Sequence, residues 1–312
     1  MPVHMGANSS CFHFTDWLAL GTVSRPLYAT MMAINCITII PAILLNALIV
    51  VTIFKTQSLR ASPSMVIICN IALSDLVVGI LAQPIFIAWI TLEYFDKTGC
   101  NCALAVSFGL SSTLFAGVSL LNVTTSSVDR YLALYFHLRY LTIVTTRRAC
   151  ITCAVHWLGG AVISFSWIPF GFIIYSYIIA TSMAVCILIT IFCYTLVFKT
   201  LRRHQRQIDT QMMSNCNGDT TLPTNNVQNF KRFKKSVFIA LSIFGAFLWC
   251  YLPCLCTLVS IAMKGYSLSL VIALKFSVTV VFINSALNPL LFLWKVSDLR
   301  LALLNIFSKL FH

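Results

Sequence analysis

The apolar residues of this chain come in seven runs, each at least about 20 residues long, and that length is what a helix needs to cross a bilayer. In hydrocarbon only a helix or a closed barrel can satisfy its own backbone, so runs of this length predict spanning helices. They are Leu27–Phe54, Pro63–Leu92, Cys102–Leu134, Ala149–Pro169, Phe170–Lys199, Phe233–Met263 and Leu268–Leu293. The fourth and fifth are nearly continuous. Ala149 to Lys199 is about twice what one crossing uses, and Pro169 and Gly171 supply a break between them. Only 9% of the residues are charged, against about a quarter in soluble domains, which excludes a water-exposed globular protein. The fold class read from this pattern is an all-α membrane protein, a seven-transmembrane helix bundle over 27–293.

The basic residues orient that bundle. With the N-terminus outside, the inner loops and tail hold all but Arg25, Lys97, Lys264 and Lys275 of the 21 Lys and Arg, as the positive-inside rule requires. The formal charge of +13 therefore reports cytoplasmic loops rather than a nucleic-acid surface. Residues 1–26 read as an extracellular tail without a signal-peptide core, and Asn8-Ser9-Ser10 is a glycosylation sequon on it. A polar stretch over about 202–230 reads as a long third cytoplasmic loop. After the bundle, 294–312 places Leu299, Leu303, Ile306, Phe307 and Leu310 on one face, a short amphipathic helix on the inner leaflet.

Charges inside a membrane are costly and so mark function. Here they are few: Asp75 in mid-span, and Asp129-Arg130-Tyr131 closing the third span. A transporter or channel, the rival class, would be expected to show more midplane ionisable groups, broken helices and an internal repeat. No constellation of catalytic or metal-ligating residues points to an enzyme.

Landmarks then fall one per span and in order. They are Asn46, Leu73 with Asp75, Asp129-Arg130-Tyr131, Trp157, Tyr194, Phe247 with Cys250 and Pro253, and Asn288-Pro289. On these the chain resembles the rhodopsin-like (class A) G-protein-coupled receptors, over all seven spans. The stretch from Asp129 to Tyr140, Thr146-Arg147-Arg148-Ala149, the short connection between spans four and five, and Cys186 look like melanocortin receptors. The acidic residues with which that branch holds a peptide would fall at Ile85, Ala105 and Gly109, and Asn288-Pro289 leans toward adenosine-type relatives. A melanocortin-like peptide receptor stands as the alternative to a small-molecule or lipid receptor.

The resemblance implies a plasma-membrane receptor that binds an extracellular ligand and activates a heterotrimeric G protein. Arg130 would be the switch, held by Asp129 at rest, with Tyr131, Leu138, Tyr194, Asn288 and Pro289 in the coupling machinery. The usual acidic partner on the sixth helix would fall near Phe233, so raised basal signalling is expected. Tyr251 stands where the family usually has tryptophan, and Phe292 replaces a tyrosine. Asp75, Ser119, Asn284 and Asn288 would form a sodium site favouring the inactive state, with Asn46 and Ser285 brought nearby; a protonated Asp75 is the other reading. No other cofactor is implied.

Alignment with the family predicts a ligand pocket lined by Gln83, Phe86, Ser112, Thr113, Ser182, Tyr251, Leu255, Val259, Lys275 and Phe282. Ser112 stands where aminergic receptors carry aspartate, and Phe282 where opsins carry the retinal lysine. Such a lining suits a neutral or anionic amphiphile, although Lys275 is expected to snorkel to the headgroups. The short tail, with Ser297 and Ser308, offers arrestin little to bind after phosphorylation. Cys11, Cys100 and Cys102 could pair outside, with Cys254 and Cys256 as alternative partners.

Overall fold

The computed structural model describes residues 25–95, 102–136, 139–215, 245–265 and 267–310. Seven helices long and apolar enough to span a membrane carry them, and no strand occurs among the described residues. We label them α1 (Arg25–Lys55), α2 (Pro63–Tyr94), α3 (Cys102–Phe136), α4 (Thr146–Phe165), α5 (Trp167–Asn215), α6 (Gly245–Lys264) and α7 (Leu268–Lys295). An eighth helix, α8 (Ser297–Leu310), follows. Phe233 to Phe244, at the start of the expected sixth span, lie outside the described residues, as do Asn8, Cys11, Lys97, Cys100, His137 and Leu138.

Local chemistry sets the helix ends. Pro63 opens α2, where its missing N–H costs nothing, and the hydroxyls of Thr145 and Ser267 cap α4 and α7 by accepting from Arg148 N and Leu270 N, both at 3.3 Å. Gly265, at φ 75°, closes α6 in the left-handed conformation while its N–H donates to Ile261 O at 2.8 Å. The break between spans four and five falls where Pro169 and Gly171 predict it. α4 stops at Phe165, and Gly171 takes φ 71° and ψ 169°, a conformation essentially reserved for glycine. A π-helical turn at Val78–Ala82 precedes Pro84 in α2, accommodating the bond that proline cannot donate. α5 runs on to Asn215, so the stretch read as loop from 202 begins as helix.

Burial is inverted relative to a soluble bundle. Ile37, Leu158, Val162 and Met263 are each at least 68% exposed, while Asn35, Asn46, Ser74, Asp75 and Gln83 are fully buried. Lipid solvates the outer apolar faces, and the polar groups satisfy one another inside. α2 and α7 are the most buried spans, and they carry three of the buried charged residues, Asp75, Glu93 and Lys275. In α8, Leu299 packs inward and Arg300 outward, while Leu301 and Leu304 are exposed alongside it.

Candidate functional site

One half of the bundle holds a cavity of about 140 Å³, lined by residues from all spans but the first. That is close to the size of an engineered cavity that takes benzene. Of the expected lining, Ser112, Thr113, Ser182, Tyr251, Lys275 and Phe282 face it. Four do not. Gln83 turns toward α1, donating to Thr38 Oγ1 at 3.1 Å and Asn35 Oδ1 at 3.4 Å. Phe86 packs behind the wall, stacked on Phe108 at 4.8 Å. Leu255 sits against the core, and Val259 is 39% exposed on the outer face of α6.

Two aromatic residues that the sequence reading did not select shape the cavity. Trp167 stacks on Tyr175 with centroids 5.3 Å apart, and the Tyr175 hydroxyl bonds Thr113. The indole fits only because residue 109 is glycine: a Cβ there would lie 2.0 Å from a Trp167 ring carbon. The Tyr251 hydroxyl donates to Ala116 O at 3.2 Å, tying α6 to α3. Cys254 also lines the cavity, whereas Cys256 is exposed.

Lys275 does not snorkel. It is 5% exposed and forms an ion pair with Glu93, itself 9% exposed. Tyr28 donates to the same Glu93 oxygen at 2.5 Å, and the Trp89 ring centroid lies 4.5 Å from the ammonium. Ending the second span at Leu92 puts Glu93 in a loop, but the helix continues through Tyr94. Phe86, Ile90 and Glu93 then share one buried face, a spacing that could have exposed the omission.

Mid-membrane, the Asp75 carboxylate is fully buried and accepts from Ser119 Oγ at 3.0 Å, Ser285 Oγ at 2.9 Å and Asn288 Nδ2 at 2.8 Å. Asn284, expected in this set, makes no hydrogen bond to Asp75, and its buried Nδ2 has no partner. Neighbouring positions on a helix do not face the same way, and the bonded pair is Ser285 with Asn288, three apart. Asn46 reaches the cluster indirectly, donating to Ser285 O at 2.9 Å while its Oδ1 stays unpartnered.

At the other end of the bundle the expected Asp129–Arg130 clamp is absent. Asp129 is 4% exposed and accepts from Ser64 Oγ at 2.7 Å and Tyr140 Oη at 2.5 Å, each carboxylate oxygen taking one hydroxyl from another segment. Burial, and then the bond to Asp129, push the Tyr140 hydroxyl up to about 12, so it remains a donor at neutral pH. Tyr131 is half-buried and its ring lies 5.8 Å from that of Tyr135. Tyr194 on α5 and Phe292 on α7 are buried, and Pro289 lies within α7.

Comparison with known proteins gives this geometry its context. The family model described as "7 transmembrane receptor (rhodopsin family)" matches residues 45–172 and 169–292. A D(1)-like dopamine receptor of Oreochromis mossambicus is 26% identical, over 90% of this chain and 79% of its own length. An octopamine receptor beta-2R of Chilo suppressalis is 23% identical, over 97% and 87% respectively. A type-1 angiotensin II receptor of Gallus gallus is 34% identical, over 44% of this chain and 37% of its own length. These relatives lend no support to the expected melanocortin or adenosine subgroup. The family match spans every helix of the bundle from the inner half of α1 to the end of α7, and the chain belongs to the rhodopsin family of seven-transmembrane receptors.

Proposed function

We propose that this receptor binds a small, largely apolar extracellular molecule in the cavity beneath its outer face and activates a heterotrimeric G protein at its inner face. The observation that carries the reading is the cavity itself, apolar but for a few hydroxyls and Lys275. No acidic side chain lines it among the described residues, so an amine would meet no counter-ion there, unlike what the names of the dopamine and octopamine relatives would suggest. Because Glu93 neutralises Lys275, an uncharged ligand fits better than an anion.

Ligand binding would favour a bundle in which the cytoplasmic half of α6 swings outward, freeing the inner surface around Arg130, Tyr131 and Leu138 to dock the G protein. With Asp129 held by Ser64 and Tyr140, Arg130 needs no ion pair with Asp129 broken before it turns inward, which favours ligand-free activity. Asp75 supports a sodium site: its carboxylate, two hydroxyl oxygens and the Asn288 amide oxygen are hard ligands, and no basic side chain among the described residues neutralises it. Asp75, Ser119, Ser285 and Asn288 would hold the ion, which supplies the positive charge that the carboxylate lacks. The α8 end of the bundle faces the cytosol at the plasma membrane.

Cyclic AMP in cells expressing the wild type or Arg130→Ala, without ligand and at matched surface expression, tests the reading. A wild-type shift that disappears in the variant is the expected result. Wild-type levels equal to untransfected cells would overturn the claim of ligand-free activity.

A further inference from the structure

We infer that Glu93 is a charge selector: by neutralising Lys275 from behind, it makes the cavity reject carboxylates and accept uncharged hydrogen-bonding heads. The inference rests on the reading of this cavity as the ligand site. Among the described residues Lys275 is the one charged residue in the cavity wall, and Glu93 is outside that wall. Lys275 therefore borders two environments, with its ammonium on the Glu93 carboxylate at the α1–α2 side and the apolar cavity on the other.

Its surroundings fix it there. Tyr28 donates to the same Glu93 oxygen at 2.5 Å and its own oxygen lies 3.4 Å from the ammonium. The faces of Trp89 and Tyr28, at 4.5 and 5.4 Å, add attraction that suits a cation and an uncharged neighbour. A carboxylate ligand entering the cavity would put a second anion beside a pair already neutral, leaving one uncompensated negative charge out of water. A hydroxyl or carbonyl would bring no charge and could still accept from the ammonium.

Binding of tritiated 1-octanol and tritiated octanoate to the full-length receptor in detergent, at pH 7.4, reads this selectivity directly. The wild type should bind octanol at least tenfold more tightly than octanoate. Glu93→Gln should raise octanoate affinity at least tenfold and move octanol less than threefold. The charge-swapped pair Glu93→Lys with Lys275→Glu keeps the buried ion pair intact, and so remains informative if the single variant does not fold. Its cavity-facing charge is acidic, so octanoate binding should fall at least threefold further while octanol binding persists. An unchanged octanoate-to-octanol ratio in Glu93→Gln or in the swap would overturn the selector while leaving the cavity reading intact. Failure of the wild type to bind either probe would overturn both.

Discussion

The two sides of the bundle are built differently. Between α1, α2 and α7 the interior is polar and cross-linked: Tyr28, Glu93 and Lys275 at one end, Asn35, Thr38, Gln83 and Thr279 next to them, then Asp75, Ser285 and Asn288. Between α3, α5 and α6 it is hollow and mostly apolar, bridged by Thr113 with Tyr175 and by Tyr251 with Ala116. Separating the first set of helices exposes polar groups that hydrocarbon cannot satisfy, whereas apolar contacts can be exchanged for ligand or lipid at little cost. The polar side is therefore the frame, and the hollow side is where binding can move a helix.

The strongest way to break that division is to remove one member of the buried ion pair. Glu93→Leu should cost about 3 to 5 kcal/mol of stability in a detergent melt, and adding Lys275→Met should recover most of it. Gly109→Ala attacks the hollow side instead, driving a Cβ into Trp167, with an expected loss of about 1 to 3 kcal/mol and a distorted cavity. Asp75→Asn should abolish sodium-dependent stabilisation, which at roughly ten times the dissociation constant amounts to about 1.4 kcal/mol; a melting point that still rises with sodium but not with choline would remove the site.

Tyr140→Phe frees Asp129 of one hydroxyl at a net of about 1 kcal/mol, enough to change ligand-free nucleotide exchange by roughly fivefold. The hydroxyl titrates above its ordinary value, so this contact is complete below pH 10 and is lost only as pH rises through about 12. The Tyr140→Phe effect should accordingly be constant between pH 6 and 9. Gln83→Leu is the mildest change, within about 1 kcal/mol, because the two bonds lost, that to Asn35 being long, are offset by removing the unpartnered buried Oε1.

The spans, and the break at Pro169 and Gly171, were legible in the sequence because run length and backbone chemistry decide them locally. Asp75 was legible too, since a carboxylate in an apolar run stands out. The partners of charged residues were not. Whether Lys275 reaches the headgroups or a buried carboxylate depends on helix ends and rotations that hydropathy does not carry, and one turn more of α2 makes Glu93 its partner. The same limit hid the capture of Asp129 by Ser64 and Tyr140, which are 65 and 11 residues away along the chain. Gln83 and Val259 fell outside the cavity for the complementary reason: span membership was right, but the face was wrong.

Hydrogen–deuterium exchange of the full-length receptor, alone and bound to a nucleotide-free heterotrimeric G protein, tests the account most directly. It predicts slower exchange around Arg130 and Tyr140, altered exchange across Gly245–Lys264, and unchanged exchange in the buried parts of α1, α2 and α7. Altered exchange spread through the polar side, with α6 unaffected, would contradict it.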